Sequence, residues 1–452
     1  MRPAAEAEKA GIPAVVVTTT GFTTIARAVG KAEGITGLRV AEYPGAVGVH
    51  PAELVDVNVE KVLFPRIVDC LTKPREGDVL EAASTRRGDE IIFEGTFDEI
   101  NEHFKQQLWL DELPVIPPTP ERVAAFLKHT KRAPDEHIAV LPQANLAATP
   151  RNIAANAVMA GCKPRMMPVL IAAVEAIADN TYNLNNIGST WGVLPFLLIN
   201  GPLAKELGIE NGAQLVNKGA NPALGRALGL IIKNIAGYKL GRSYMGTFGY
   251  PMNFVVAENE ELNPWQPYHV EHGFDKNDST VTACGTVTWG WPPALYGTNE
   301  KSAAQATLEF LSIETTKKPC LARLVERGPN GFQNMITFLL APPIAKALAG
   351  EGYSKQMIRD YVYEHARVPR RELEFLITYG HSEAFKFEDM VERGLLPKEY
   401  LVGPDEMVRV LPGADVINIV VCGDPDRNRA MVLWGGYVKP VTKKIFDADL
   451  RR

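Results

Sequence analysis

Hydrophobic and polar positions alternate in blocks along the first seventy residues, and these blocks predict a strand–helix–strand–helix unit. Ala14–Val17 is a short β-branched run, typical of a strand that is buried on both faces. Phe22–Glu33 has apolar residues at helical spacing, Leu38–Tyr43 predicts a second strand, and the apolar positions from Pro51 to Thr72 predict a long helix. This order implies two parallel strands joined by a right-handed crossover.

The predicted N-terminal sheet is small. A short helical segment, Ala4–Ala10, leads directly into the first strand, so only two strands are available. A two-stranded parallel sheet is too small to be stable alone. We therefore expect the sheet to be completed by strands from later in this chain or by βα units of another polypeptide.

The remaining chain predicts a mixture of helices and strands. Thr96-Phe97-Asp98-Glu99 is a capping-box pattern for a helix that ends near Leu108, after a possible strand at Ile91–Glu94. Thr119-Pro120 and Thr149-Pro150 each place a capping Thr before a Pro at the first helical position. Further helices are expected at 121–131, 151–160, 165–179, 202–207, 222–235, 301–311, 340–349, 354–366 and 386–393. Further strands are expected at 193–199, 252–257, 279–287, 320–326, 416–421 and 430–434.

These elements predict a mixed fold, α/β and α+β, in two domains. A small N-terminal α/β domain spans residues 1–95, and a large mixed α/β domain spans residues 96–452. The composition agrees with this, because 46% hydrophobic and 22% charged residues are typical of a globular protein.

Charge and cysteine content exclude several functions. The formal net charge of −5 argues against nucleic acid as the main partner, since such binding needs concentrated Lys and Arg. The N-terminus has no apolar signal region, and the apolar stretches are too short to span a bilayer, so no membrane association is expected. Five scattered cysteines without a close pair are typical of a reducing compartment, which predicts a cytoplasmic protein.

Acids and imidazoles are concentrated in one segment of the large domain. Glu258 lies in an acidic run, and His269-Val270-Glu271-His272 follows shortly after it. Side chains of these types suit general acid–base chemistry or a divalent metal ion. We predict Glu258 and Glu271 as catalytic groups and His269 and His272 as metal ligands. The spacing lacks the i, i+4 histidine pair of the helical zinc motif, so an acidic surface loop with one structural His remains an alternative.

A helix end presents a candidate thiol. The segment Asn156–Pro164 predicts a helix that ends at Gly161, directly before Cys162. Lys163 or Arg165 could lower the pKa of Cys162 and make it a catalytic thiol, with Asn156 lining the same pocket. The alternative is a small buried residue beside a helix cap.

Three further segments could bind an anionic substrate group. Arg226 follows a Gly- and Asn-rich run, Arg427 and Arg429 follow a buried strand, and Thr20 lies in a hydroxyl-rich strand-to-helix turn. The alternative for the Arg226 segment is a plain loop, and for Arg427 and Arg429 it is a turn with solvated charges. For Thr20 the alternative is a helix cap. The chain contains neither a P-loop nor a dinucleotide fingerprint, so the cofactor is unknown and a divalent metal is the only candidate.

Six stretches, in this order, resemble the UGSC-type (seleno)protein family, which is named for a selenocysteine- or cysteine-Gly-Ser-Cys redox motif. They are Gly11–Val17, Leu113–Val123, Asn156–Pro164, Asn200–Pro202, Gly225–Ala227, and Ala257–Glu260 with His269–Glu271. The resemblance implies a redox role. It also implies that the redox motif would lie upstream of the Gly11–Val17 strand, in an N-terminal α/β unit.

The sequence departs from the family at this motif. No Cys-Gly-Ser-Cys occurs in the 452 residues. Since the predicted sheet is also incomplete, we expect a small separate subunit to carry the motif and to dock on residues 1–50.

The expected protein is therefore the large subunit of a cytoplasmic hetero-oligomer. It would be a thiol-dependent redox or lyase-type enzyme that acts on a small polar or anionic metabolite, with its site between the N-terminal layer and the main domain. Two alternatives remain open. One is a metal-dependent hydrolase or lyase that needs no partner thiol, and the other is a noncatalytic scaffold subunit.

Overall fold

The first strands and helices form the predicted unit. The computed structural model describes residues 1–74, 90–188, 190, 192–249, 252–317, 335–378, 386–394, 396–436 and 438–446. The unit begins with α1 (Arg2–Lys9), β1 (Val16–Thr19), α2 (Thr23–Ala32) and β2 (Val40–Tyr43). β1 and β2 pair in parallel, with Val16 opposite Val40, which confirms the predicted pairing. The buried side chains of this unit form two small clusters of their own, one around Ile35 and one around Tyr43.

The predicted long helix is continuous but contains a wider turn. It consists of α3 (Ala52–Asn58), a π-helical turn (Val59–Leu63) and α4 (Phe64–Thr72). Leu63 is buried, and the other side chains of this helix are partly or fully exposed. α4 packs against β2, whereas Val17 on β1 is 52% exposed. The expectation that the first strand is buried on both faces is therefore wrong, because no second layer of the described chain covers Val17.

The main body, residues 90–446, contains the larger part of the secondary structure. Its helices are α5 (Phe97–Gln106), α6 (Pro120–Leu127), α7 (Pro150–Ala160), α8 (Met167–Ala178), α9 (Pro202–Leu207), α10 (Asn221–Asn234), α11 (Tyr268–Glu271), α12 (Ala303–Thr316), α13 (Pro342–Gly350), α14 (Lys355–His365), α15 (Arg370–Thr378) and α16 (Phe387–Glu392). Its strands are β3 (Ala139–Leu141), β4 (Leu146–Ala148), β5 (Leu194–Asn200), β6 (Phe254–Ala257), β7 (Thr280–Thr286), β8 (Ile336–Leu340), β9 (Arg367–Pro369), β10 (Met407–Arg409), β11 (Ile417–Val421), β12 (Ala430–Trp434) and β13 (Val441–Lys444).

The predicted helix caps are present. Thr96 and Glu99 form the reciprocal capping box of α5, and the side chains of Thr119 and Thr149 cap α6 and α7. The strand expected at Ile91–Glu94 is wrong, because this segment has no strand partner in the described chain. The strand expected at 320–326 lies outside the described residues.

Two mixed sheets carry the main body. The first has the order β13-β7-β5-β6, in which β5 and β6 are parallel and β7 is antiparallel to β5. The second has the order β11-β8-β12, with β8 and β11 parallel. Buried apolar side chains such as Phe196, Val256, Leu339 and Val420 form a cluster shared by both sheets. The fold is therefore mixed α/β, as predicted.

Candidate functional site

Three strands end close together in the main body. Asn200 is the last residue of β5, Glu258 directly follows β6, and Cys422 directly follows β11. Backbone hydrogen bonds join these ends: Glu258 N donates to Ile199 O (3.1 Å), and Asn259 N donates to Val421 O (2.7 Å). In α/β proteins ligands commonly bind at the carboxyl ends of parallel strands. We call the side chains of Asn200, Glu258, Glu260, His269 and Thr280 the polar centre.

Glu258 is the buried acid of the polar centre. Its side chain is fully buried and accepts hydrogen bonds from Asn200 Nδ2 (2.6 Å), Tyr268 N (2.6 Å) and Asn263 Nδ2 (2.8 Å). Lys355 Nζ lies 3.8 Å from Glu258 Oε1. Burial raises the pKa of Glu258, while the Lys355 ammonium and the hydrogen bonds from Tyr268 and Asn200 act against that rise.

Glu271 is close to Glu258 but is held in ion pairs. Lys355 Nζ lies 2.6 Å from Glu271 Oε2, and Arg359 Nη2 lies 3.3 Å from Glu271 Oε1. Lys355 also donates to Gln266 O (2.8 Å). Glu258 and Glu271 are thus brought to the same lysine, and the contacts of Glu271 with two cations fix α11 against α14.

Glu260 connects the polar centre to the surface. Glu260 Oε1 accepts hydrogen bonds from Gly201 N (2.7 Å) and Asn200 Nδ2 (3.0 Å), and its side chain is 26% exposed. Gly201 makes this turn possible. Its φ is +89°, and a Cβ there would lie 2.2 Å from Asp278 O.

His269 has hydrogen-bonding capacity that the protein does not use. It is 0% exposed, neither ring nitrogen has a hydrogen bond within the described chain, and Nδ1 lies 3.8 Å from Glu260 Oε1. Asn200 Oδ1 and Thr280 Oγ1 are also buried without partners among the described residues, and these two residues are opposite each other in the β5–β7 pairing. Buried polar atoms are usually hydrogen-bonded, so these four atoms are available to water or to another polar molecule.

The geometry does not support the predicted metal ligands. His272 Nδ1 lies 2.7 Å from Tyr268 O, and the His272 ring stacks on the Tyr268 ring with centroids 4.1 Å apart. In the described part of the chain, no group of three or more His, Cys, Asp or Glu side chains is arranged to hold a metal ion. The neighbouring carboxylates of Glu258 and Glu271 instead face N–H donors and cations.

Cys162 differs from the expectation of a reactive thiol. It is buried after the left-handed Gly161 that ends α7, and burial raises the pKa of its thiol to about 12. The predicted lowering by Lys163 or Arg165 is therefore wrong, because desolvation dominates. Cys422 lies at the polar centre, yet burial and the Glu258 carboxylate raise its pKa to about 12 as well.

The predicted anion-binding residues lie in different parts of the molecule. Arg226 on α10 forms a bidentate pair with Asp111, with both N–O distances at 2.8 Å. Thr20, in the N-terminal unit, lies 3.2 Å from Glu42 Oε1 and accepts a hydrogen bond from Gly45 N (2.9 Å). These contacts give Arg226 and Thr20 structural roles away from the polar centre.

Three other predicted residues also make local contacts. Asn156 Oδ1 accepts a hydrogen bond from Asn234 Nδ2 (2.9 Å), which joins α7 to α10. Arg427 donates to Asp426 O (3.1 Å), and Arg429 donates to Pro292 O (3.1 Å). The two arginines lie on the loop after β11, at the same end of the strands as Glu258.

The sequence predicts no site role for Asn200, Glu260, Thr280 or Lys355, although Asn200 and Glu260 lie in motifs that carry the family resemblance. Asn200 offers a usable signal, because it is the polar last residue of an otherwise apolar buried strand and precedes Gly-Pro. Lys355 offers none, since it lies 84 residues from Glu271 in the sequence.

The fold and this site together define a mixed α/β protein with a buried polar centre at the carboxyl ends of its strands. Residues 1–73 match the UGSC family, which confirms the resemblance for the N-terminal unit. The other motifs that carried the resemblance lie outside the matched residues. No curated protein and no solved structure matches the chain. In the described part of the chain, no helix is long and apolar enough to cross a membrane.

Proposed function

We propose that this chain is an enzyme subunit whose polar centre transfers protons to and from a small polar or anionic metabolite, in a thiol-dependent redox or lyase-type reaction. The observation that carries the proposal is His269, which is completely buried with both ring nitrogens unpaired, 3.8 Å from the Glu260 carboxylate. An imidazole near a carboxylate is a common acid–base pair, because the carboxylate orients the ring and stabilises its protonated form.

Each group of the polar centre has a distinct role in the proposed reaction. Glu258, whose pKa is raised by burial, is suited to donate a proton to a leaving group. His269, whose Nδ1 lies 3.8 Å from Glu260 Oε1, exchanges the second proton. Asn200 Oδ1 and Thr280 Oγ1 provide unused hydrogen-bonding atoms that fix polar substituents of the metabolite.

In this proposal the thiol comes from another polypeptide. A thiolate of that polypeptide forms a bond to the metabolite, the leaving group takes the bonding electron pair, and the acid of the polar centre protonates it. The three cysteines of the described main body support an external thiol. Cys162 and Cys422 are buried with raised pKa values, and burial also raises the pKa of Cys284, whereas the partly exposed Cys70 lies on α4 of the N-terminal unit.

The N-terminal unit supports such a partner. It has a parallel sheet of two strands, and large apolar side chains on its surface are exposed. Val17 on β1 is 52% exposed, Val49 is 79% exposed, and Phe64 is 61% exposed. A further βα unit from the partner would cover these side chains and extend the sheet.

A metabolite-depletion experiment tests the acid–base role. The native complex is incubated with a mixture of small polar metabolites and a dithiol reductant, and the metabolite that disappears is identified by mass spectrometry. We expect Glu258→Gln and His269→Gln each to lower kcat by about a hundredfold or more. Glu261→Gln is the matched control, because Glu261 is exposed and pairs with Lys205. Unchanged kcat in both test variants would refute the role.

Native co-purification tests the partner. Val17→Ser should release a partner that carries a Cys-Gly-Ser-Cys or selenocysteine motif, whereas Val140→Ser should retain it. Val140 is a suitable control because it is also an exposed strand valine, with 57% exposure on β3. A 452-residue chain that is stable and fully active without any partner would contradict this part of the proposal.

A further inference from the structure

A second cavity lies at the opposite end of β6. It has a volume of about 140 Å³ and is lined by Arg226, Gly229 and Lys233 of α10 and by Asn253, directly before β6. Glu258 lies five residues beyond Asn253, which corresponds to roughly 16 Å along an extended chain. The cavity is therefore separate from the polar centre.

Lys233 is the unusual residue of this cavity. It is only 7% exposed, and among the residues that the structure describes none forms a hydrogen bond or ion pair with its ammonium group. Lys233 Nζ is not one of the fully buried, unpaired polar atoms of the described chain, so the ammonium group faces the open cavity while the rest of the side chain is buried. Burial lowers the pKa of Lys233, and the Glu112 and Asp111 carboxylates oppose this shift without contacting the ammonium group.

The charged neighbours of Lys233 are engaged elsewhere. Asp111 accepts two hydrogen bonds from Arg226, through Nε and Nη2. Lys239 donates to Leu108 O (3.0 Å) and Asn234 Oδ1 (3.3 Å). Arg226 Nη1 takes part in none of the Asp111 bonds. The cavity thus has two cationic donors available, Lys233 Nζ and Arg226 Nη1.

The shape of the cavity follows from α10. Arg226, Gly229 and Lys233 are spaced by three and four residues, so they share one face of the helix. Gly229 lies between the two cations and allows the Asn253 side chain to approach α10, because a Cβ at position 229 would lie 2.7 Å from Asn253 Oδ1. Asn253 therefore forms the wall of the cavity beside Gly229, and the open volume of about 140 Å³ adjoins both cationic side chains.

We infer that this cavity binds the carboxylate of a small organic acid, with Lys233 Nζ as the main ligand and Arg226 Nη1 as the second donor. The local charge favours a monoanion: the charged side chains that line the cavity are Arg226, Lys233 and Asp111, which leaves one net positive charge. A dianion such as phosphate would be less well compensated.

The surroundings of the cavity indicate an apolar body for this acid. A cleft of about 540 Å³ shares Met252 and Asn253 with the cavity and is lined by Leu194, Phe254 and Trp289. The rings of Phe254 and Trp289 meet edge to face with centroids 5.3 Å apart. An aromatic or aliphatic group attached to the carboxylate can lie against these side chains.

Calorimetric titration of the full chain with benzoate tests the inference. We expect benzoate to bind, the neutral analogue benzamide to bind at least tenfold more weakly, and phosphate to bind more weakly than benzoate. Lys233→Met should weaken benzoate binding at least tenfold, and Lys233→Arg should retain part of it. Lys346→Met, at an exposed lysine of α13, should leave the affinity unchanged.

Three results of these titrations would contradict the proposed carboxylate site. Equal benzoate affinity in wild type and Lys233→Met would overturn the inference, and so would the absence of benzoate binding to the wild type. Tighter binding of phosphate than of benzoate would overturn the carboxylate assignment. If Lys233→Met does not fold, as judged by circular dichroism, Lys233→Arg and the benzamide comparison still test the inference.

Discussion

Two buried lysines of the main body differ in whether the protein provides partners for their ammonium groups. Lys355, at the start of α14, is 3% exposed and contacts Glu271 (2.6 Å), Gln266 O (2.8 Å) and, at 3.8 Å, Glu258. Lys233, in the last turn of α10, is 7% exposed and has no such contact in the described chain. Both side chains are largely buried, but only the Lys355 ammonium has partners within the described chain, whereas the Lys233 ammonium faces the cavity.

The presence or absence of partners within the protein distinguishes buried groups with a structural role from those that can bind a ligand. The Lys355 ammonium pairs with Glu271, lies near Glu258 and fixes α11 to α14, so it contributes to stability. Lys233 and, at the other end of β6, His269 are buried groups whose hydrogen-bonding capacity remains unused. A protein keeps such groups at a cost in stability, and ligand binding is the simplest reason for keeping them.

Removal of Lys355 should have the largest effect on stability. Lys355→Met leaves the buried Glu258 without a nearby cation and leaves Glu271 with Arg359 alone. Breaking a buried ion pair from one side typically costs about 3–5 kcal/mol. Urea unfolding should show this loss in the free energy of unfolding. A loss below about 1 kcal/mol would mean that the pairing is not structurally important.

A side chain at position 201 should have the next largest effect. Gly201→Ala places a Cβ against Asp278 O and requires a positive φ, so we expect a loss of about 2–4 kcal/mol. The displaced turn should also separate Gly201 N from Glu260. Urea unfolding measures the loss, and Gly212→Ala is a control, because no atom lies within 4 Å of its Cβ position.

Removal of Lys233 should change stability much less than removal of Lys355. Lys233→Met replaces an ammonium group that faces the cavity and has no partner in the described chain with an apolar side chain of similar length. The free energy of unfolding should change by no more than about 1 kcal/mol, with stabilisation as the expected direction. The same urea experiment measures it. A loss of unfolding free energy as large as that of Lys355→Met would show that Lys233 has a partner within the protein. The contrast between a paired Lys355 and an unpaired Lys233 would then no longer hold.

The smallest expected effect is the pH dependence of the free energy of unfolding. Burial lowers the pKa of Lys239 to about 8 and also lowers that of Lys233. In the unfolded chain both groups hold their protons up to a pKa of about 10.4. The unfolded state then binds more protons between these values, so stability should rise as pH increases from about 8 to about 10. Unfolding measured across this range should show a smaller rise in Lys239→Met; an equal rise would contradict the assignment.

The sequence was informative where local chemistry decides structure. The Thr-Pro starts of α6 and α7 and the bounds of β12 were predicted, because caps and apolar runs act over a few residues. β8 is absent from the prediction, because its apolar run continues into Ala-Pro-Pro and only the following helix, at 340–349, is predicted in this segment. The segment Ile91–Glu94 has strand composition but no partner in the described chain.

The part of the site that consists of residues close together in the sequence was also predictable. Glu258, His269 and Glu271 were identified from their types and proximity in sequence. The groups that decide their chemistry come from β5, β7 and α14, and only the fold brings Asn200, Thr280 and Lys355 to them. Cys162 was misjudged because its burial, which raises its pKa, depends on packing that its sequence neighbours do not reveal.

The most direct test of the acid–base centre compares two adjacent glutamates. Glu260 contacts Gly201 and Asn200 and lies beside His269, whereas Glu261 pairs with Lys205 at the surface. Once the consumed metabolite is known, kcat of the native complex should fall by about a hundredfold or more in Glu260→Gln and change less than about twofold in Glu261→Gln. Equal kcat values for the two variants would contradict the proposed catalytic role of the polar centre.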